Sequence, residues 1–365
     1  MMISEAYRDP KLARELLGLL HRLAQALDQP AVFMEVCGTH TMSIYRSGIR
    51  DVLPRQIRLI SGPGCPVCVS GADYIDRALL LAETERIAIA SFGDLMRVPG
   101  SRGSLAAARA RGADIHVVYS PLDALRIAQK KPQATIVFLA VGFETTAPGI
   151  GAAVERAKRD GITNFKLLTA LKTIPHAMRA LATDPEIGVH GFLCPGHVSA
   201  VIGCDAYQPL VDGQRIPCVV AGFEPVDILA GLVELTRQRI DGQPRLVNLY
   251  PRAVRAAGNE RARQLLDRVF DVDDAMWRGI GCLPRTGLRL AAPFRDYDAA
   301  VRYPFDIVAA PEPAGCLCGR ILKGIAEPVE CQLLGTICSP DSPVGACMVS
   351  SEGACAAYYR YAYRG

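Results

Sequence analysis

The chain has no apolar run long enough to cross a bilayer. Its longest, Ile136 to Phe143, falls far short of the roughly twenty residues a membrane helix needs. The stretch Met1 to Arg14 is polar and charged, without the apolar segment of a signal peptide, so a cytoplasmic protein with no membrane partner is expected. Charge of either sign is scarce: 21% of residues are charged, the net charge is +4, and no dense Lys/Arg block occurs, which argues against a nucleic-acid partner. There is no G-x-x-x-x-G-K-[ST], no G-x-G-x-x-G after a first strand and no H-E-x-x-H, so nucleotide use is not encoded in a recognisable way.

Apolar residues and cysteine are plentiful. Half of the 365 residues are apolar, enough for a large core divided into two or three domains. Leu12 to Leu27 has helical periodicity and ends at Pro30. Short apolar runs then predict buried strands at Ala31–Val36, Ile57–Ile60, Ile87–Ala90 and Ile115–Tyr119, each followed by a turn rich in Gly, Pro or Ser. The cycle restarts at Thr135–Val141, Phe165–Thr169, Val189–Leu193 and Cys218–Ala221. This alternation predicts an α/β protein with parallel sheets and crossover helices.

The second pass resembles the first. Phe33–Thr41 parallels Phe138–Thr146, Ser61–Cys65 parallels Leu193–His197, and Ala90–Asp94 parallels Ala221–Pro225. We therefore expect two related Rossmann-like domains, 1–120 and 121–236, around a cleft. A connecting region, 237–310, would pack back on them, with Arg261–Phe270 helical and turns at Trp277–Gly281 and Pro284–Gly287. A cysteine-rich domain, 311–365, completes the chain. Ligands of open parallel sheets sit beyond the carboxyl ends of strands, where Cys37, Cys65, Glu144 and His197 are all expected.

Thirteen cysteines in a reduced compartment argue for metal or redox use and against a disulfide framework. Cys65-Pro-Val-Cys68 is a CxxC whose sulfurs can close a disulfide or share one metal. A helix opening at Ser70–Asp73 would lower the thiol pKa through its positive end; the bland alternative is a buried structural pair. Cys37 follows a strand and has His40 three residues on, so it reads equally as a thiolate ligand or nucleophile and as a buried strand end. His197 alone reads as a packed or capping residue. Glu144 reads as a proton acceptor or as a helix cap.

Six cysteines crowd the last fifty residues: Cys316, Cys318, Cys331, Cys338, Cys347 and Cys355. The run Cys318-x12-Cys331-x6-Cys338-x16-Cys355 supplies four thiolates for a [4Fe–4S] cluster, with Cys316 and Cys347 as extras and Cys347 a competitor of Cys355. Structural zinc is the alternative, although no second CxxC knuckle completes such a site. The Tyr-rich end, Tyr358 to Tyr363, reads as helix packing.

Glu35-Val-Cys-Gly-Thr-His-Thr41, Gly62-Pro-Gly-Cys-Pro-Val-Cys68, Gly142-Phe-Glu-Thr-Thr146, Pro195-Gly-His-Val198 and Gly345–Tyr359 together resemble the HypD family of [NiFe]-hydrogenase maturation factors, from about Ala31 to Tyr363. The resemblance implies a scaffold that, with a small HypC-like chaperone, holds iron while two cyanides and one carbon monoxide are attached. A HypE-like protein would give the cyanide, and the Fe(CN)2CO unit would pass to the hydrogenase large subunit. It further implies Cys37 as the iron-holding thiolate with His40 beside it. Cys65 and Cys68 would be a redox dithiol fed by the tail cluster, and Glu144 and His197 would line the cleft. Two rival readings are a stand-alone thiol–disulfide oxidoreductase using an Fe–S cluster and a zinc-stabilised interaction protein.

Overall fold

Eleven strands in two sheets organise the chain in this computed structural model, which describes residues 7–307 and 312–364. The opening of the polar N-terminal stretch and the 310/311 boundary lie outside the described residues. The strands are β1 (Ala31–Glu35), β2 (Ile57–Ser61), β3 (Ile87–Ser91), β4 (Ile115–Val117), β5 (Thr135–Gly142), β6 (Phe165–Lys172), β7 (Gly191–Pro195), β8 (Cys218–Ala221), β9 (Leu246–Asn248), β10 (Phe270–Trp277) and β11 (Gly281–Leu290). The first sheet runs β2-β1-β7-β8-β9 and is wholly parallel. The second runs β10-β11-β6-β5-β3-β4 and is parallel apart from the edge hairpin β10–β11.

Side-chain alternation explains the layering. In β5, Ile136, Phe138 and Ala140 face outward to a cluster with the helices Pro121–Lys130 and Ala147–Arg159, while Val137, Leu139 and Val141 face the central core. In β1, Phe33 faces the outer cluster with Leu20 and Leu232, whereas Met34 and Val36 face inward. One central core thus joins both sheets and the cysteine-rich tail. The helix Pro10–Ala24 starts where Asp9 accepts the Lys11 N–H at 2.8 Å and Pro10 occupies the first turn.

The expected division at 120/121 does not follow the sheets. Strands β1 and β2 pair with β7 and β8, and β3 and β4 pair with β5 and β6. The spatial order β2-β1-β7-β8 in one sheet answers to β6-β5-β3-β4 in the other. Each sheet is therefore built from the first two strands of one half and the last two of the other, a strand-exchanged duplication. The likeness between the turns after β1 and β5 fits this arrangement. The other two sequence likenesses do not, because the counterpart of β2 is β6 and that of β3 is β7. Tight glycine turns at strand ends resemble one another whatever their lineage.

Three strands escaped the sequence reading. β9 has only partly buried residues, and β10 is mostly exposed and acidic, so neither forms an apolar run. The turn expected at Pro284–Gly287 lies inside β11 instead. It marks the irregularity opposite Asp273–Ala275, with Arg285 at φ 59°.

Candidate thiol-lined cleft

Turns from both sheets enclose a cleft of about 340 Å³. Cys37 and Thr39 follow β1, Gly64 and Pro66 follow β2, and Pro195 and His197 close β7. Phe143, Thr145 and Thr146 from the β5 turn form the opposite wall, and Glu352 reaches in from the tail. All but Glu352 are at carboxyl ends of parallel strands, as in other open α/β sheets.

Cys37 occupies the N-cap position of the helix Gly38–Arg46, is 7% exposed and lines the cleft. Two contacts fix its turn: the Cys37 N–H donates to the buried Glu35 carboxylate at 3.0 Å, and the Gly38 N–H donates to Gly64 O at 3.0 Å. The second bond ties the CxxC loop to the Cys37 turn. Gly64 permits it, since a Cβ there would fall 2.3 Å from the Cys37 nitrogen. Burial pushes the free Cys37 thiol up to about 12 against the backbone N–H of His40, and the Glu352 and Glu35 carboxylates add to that rise.

His40 does not line the cleft. It is fully buried, its Nε2 donates to Gly222 O at 2.8 Å, and its ring lies 4.8 Å from that of Phe223. Burial lowers its pKa to about 4, so it stays neutral. His197 does line the cleft, its ring 4.2 Å from that of the same Phe223 and tilted by 33°, with Nδ1 3.5 Å from Thr39 Oγ1. Glu144 sits behind the wall formed by Phe143 and Thr145. Its Oε1 accepts the Ile174 N–H at 2.9 Å, capping the helix after β6 rather than the one after its own strand, and its Oε2 has no partner among the described residues. Burial raises its pKa to about 7.

Cys65 and Cys68 are both buried, with their sulfurs 2.6 Å apart. Cys68 Sγ lies 3.8 Å from Ala346 O of the tail, and after burial and Cys65 the neighbouring Cys347 and Cys318 thiols raise its pKa. The CxxC thus abuts the tail. Within the tail Cys347 and Cys355 sulfurs are 3.0 Å apart, and contact with Cys347 is the leading cause of the raised Cys318 pKa. Burial, then Cys318, Cys331 and Cys338, push Cys316 up to about 12. Cys355 has Cys318, Cys331 and Cys316 around it. Among the described residues, no three His, Cys, Asp or Glu side chains meet at one metal-sized point. A cubane cluster, by contrast, needs thiolates spread around it.

Sequence reasoning missed Thr39 and Glu352 as cleft residues. Thr39 Oγ1 donates to Glu352 Oε1 at 2.7 Å, which latches the tail over the Cys37 turn. Gly38 leaves room for it, because a Cβ there would strike the Glu352 side chain. The only signal was the position of Glu352 inside the cysteine-bounded motif Gly345–Tyr359.

These features define a class: a two-sheet α/β protein whose cleft presents one buried thiol, next to a CxxC loop that abuts a cysteine-rich tail. The family pattern described as "HypD: Hydrogenase formation hypA family" matches residues 11–362. The hydrogenase maturation factor HypD of Azotobacter vinelandii is 43% identical over 99% of this chain and 97% of its own. That of Rhizobium leguminosarum bv. viciae is 44% identical (99% and 96% covered), and that of Escherichia coli K12 is 41% identical (99% and 98% covered). The chain belongs to the HypD family of hydrogenase maturation factors. No helix of the described residues is long and apolar enough to cross a membrane.

Proposed function

We propose that this protein is a scaffold on which the Fe(CN)2CO unit of [NiFe]-hydrogenase is assembled, with Cys37 holding the iron as substrate. The observation that carries this reading is the Gly38–Gly64 hydrogen bond, which joins a cleft-facing thiol to a CxxC loop. Iron bearing cyanide is electron-rich and suits a soft thiolate. One protein sulfur is enough when the other ligands arrive from outside. The free Cys37 thiol is protonated, so iron binding releases a proton. Thr39 and Glu352 form the rim that a HypC-like chaperone and a HypE-like cyanide donor would meet, and the hydrogenase large subunit would receive the product.

The tail's donor set, six thiols in one nest, fits a [4Fe–4S] cluster, which when bound supplies single electrons. The sequence points to Cys318, Cys331, Cys338 and Cys355 as its ligands. Packing adds Cys316 to that set as a competing ligand, because Cys318, Cys331 and Cys338 all act on its thiol, while Cys318 also faces Cys347 next to Cys68. Cys65 and Cys68 would store two electrons and two protons as a dithiol against one disulfide. Both are too buried to attack a bulky substrate disulfide, which disfavours the stand-alone oxidoreductase.

The test is Cys37→Ala in anaerobically purified protein with its partner chaperone. Loss of all cyanide and CO infrared bands is expected, with the circular dichroism spectrum and tail iron content unchanged. Retention of those bands would overturn the assignment.

A further inference from the structure

A second cavity, of about 220 Å³, opens at the carboxyl end of β6, between the β10–β11 hairpin and the start of the helix Ala72–Glu83. Because β6 is the counterpart of β2, this end corresponds to the strand end that carries the CxxC loop. Its floor is Lys172, which is only 3% exposed. Among the described residues no hydrogen bond or carboxylate within 4 Å satisfies its ammonium group; the ring of Trp277 is 5.8 Å away. A buried unpaired charge is costly, and such a group calls for an occupant. Burial lowers the Lys172 pKa to about 8, with Asp73 acting in the opposite direction.

The walls narrow the ligand class. Asp73, Asp273 and Asp274 line the cavity together with Lys172 and Arg289, so the lining is not cationic overall and repels a dianion more strongly than a monoanion. Asp274 already accepts the Arg285 N–H at 2.9 Å, Arg289 Nε stands 3.9 Å from Asp273, and Asp73 folds back over Gly71. Lys172 is the remaining unmet group. On the Lys172 face of β6, Tyr74, Ala170 and Ala275 add apolar wall. We propose that this cavity binds a short aliphatic monocarboxylate, its carboxylate on the Lys172 ammonium group and its tail along Ala170 and Ala275.

Trp277 is the only tryptophan of the chain and reports on this site directly. Full-length protein is titrated with sodium propionate, with sodium chloride at matched ionic strength and inorganic phosphate as controls, while Trp277 emission is followed. A saturable change is expected with propionate and with neither control. Lys172→Met should weaken it at least tenfold. Asp73→Asn, which keeps the side chain's shape, should tighten it several-fold by removing a repelling charge, and it serves as the reading should the Met variant fail to fold. A linear response, saturation by phosphate at lower concentration, or unchanged affinity in either variant would overturn the proposal.

Discussion

The turns after β1 and β5 occupy equivalent places in the two sheets, yet only one presents sulfur. After β1 the chain sets Cys37 at a helix start, braced by Glu35 and by Gly64 from the neighbouring turn. After β5 the equivalent position is Gly142, followed by Phe143 as cleft wall and by Glu144 turned inward. A common backbone frame has thus been divided between a reactive face and a shaping face. The acid on the shaping face serves the protein's own helix and does not touch the cleft.

The comparison is broken most severely at Gly64. A methyl there would collide with Cys37 backbone, which cannot step aside. Gly64→Ala should lose on the order of 4 kcal/mol or fail to fold. Denaturant titration measures this, and a loss below about 1 kcal/mol would remove the claim of close approach.

Glu144 gives the next largest effect. Its folded pKa, about 7, stands above the ordinary value of 4.5, so the native state holds the proton more tightly than the unfolded one. Stability from this group therefore falls as pH rises from about 4.5 to about 7, by at most about 3 kcal/mol at roughly 1.4 kcal/mol per pH unit. In Glu144→Gln that slope should flatten, as read from melting temperature at a series of pH values. An unaltered slope would mean the carboxylate has a partner in solution.

The smallest effect sharpens the comparison. Gly142→Cys places a thiol at the counterpart of Cys37, but its Cβ would lie 2.5 Å from the Thr146 Cβ. A loss of about 1–2 kcal/mol is expected, recovered largely by adding Thr146→Gly, which removes that Cβ. Equal losses in the single and double variants would show the crowding to lie elsewhere.

Local patterns carried most of the strand reading. Val137, Leu139 and Val141 alternate with Phe138 and Ala140 within one continuous apolar run, the mark of a strand buried on both faces. The strand-end positions of Cys37, Cys65 and His197 followed from those runs. Partner choice did not. An apolar strand carries no label for its neighbour, and the β1–β7 pairing of Phe33 with Gly191 spans more than 150 residues. The inward turn of His40 depends on Gly222 and Phe223, and the arrival of Glu352 depends on tail packing. Both are set by distant chain segments.

The exchange of strands has a mechanical consequence. The backbone passes from one sheet to the other after β2, after β6 and again after β9, so the two walls of the cleft are stitched together three times. Gaping like a two-part hinge would mean pulling stitches through the core. The gap between the walls is therefore set by covalent chain. Entry to the sulfur is left to what is merely laid across the seam, the Thr39–Glu352 latch.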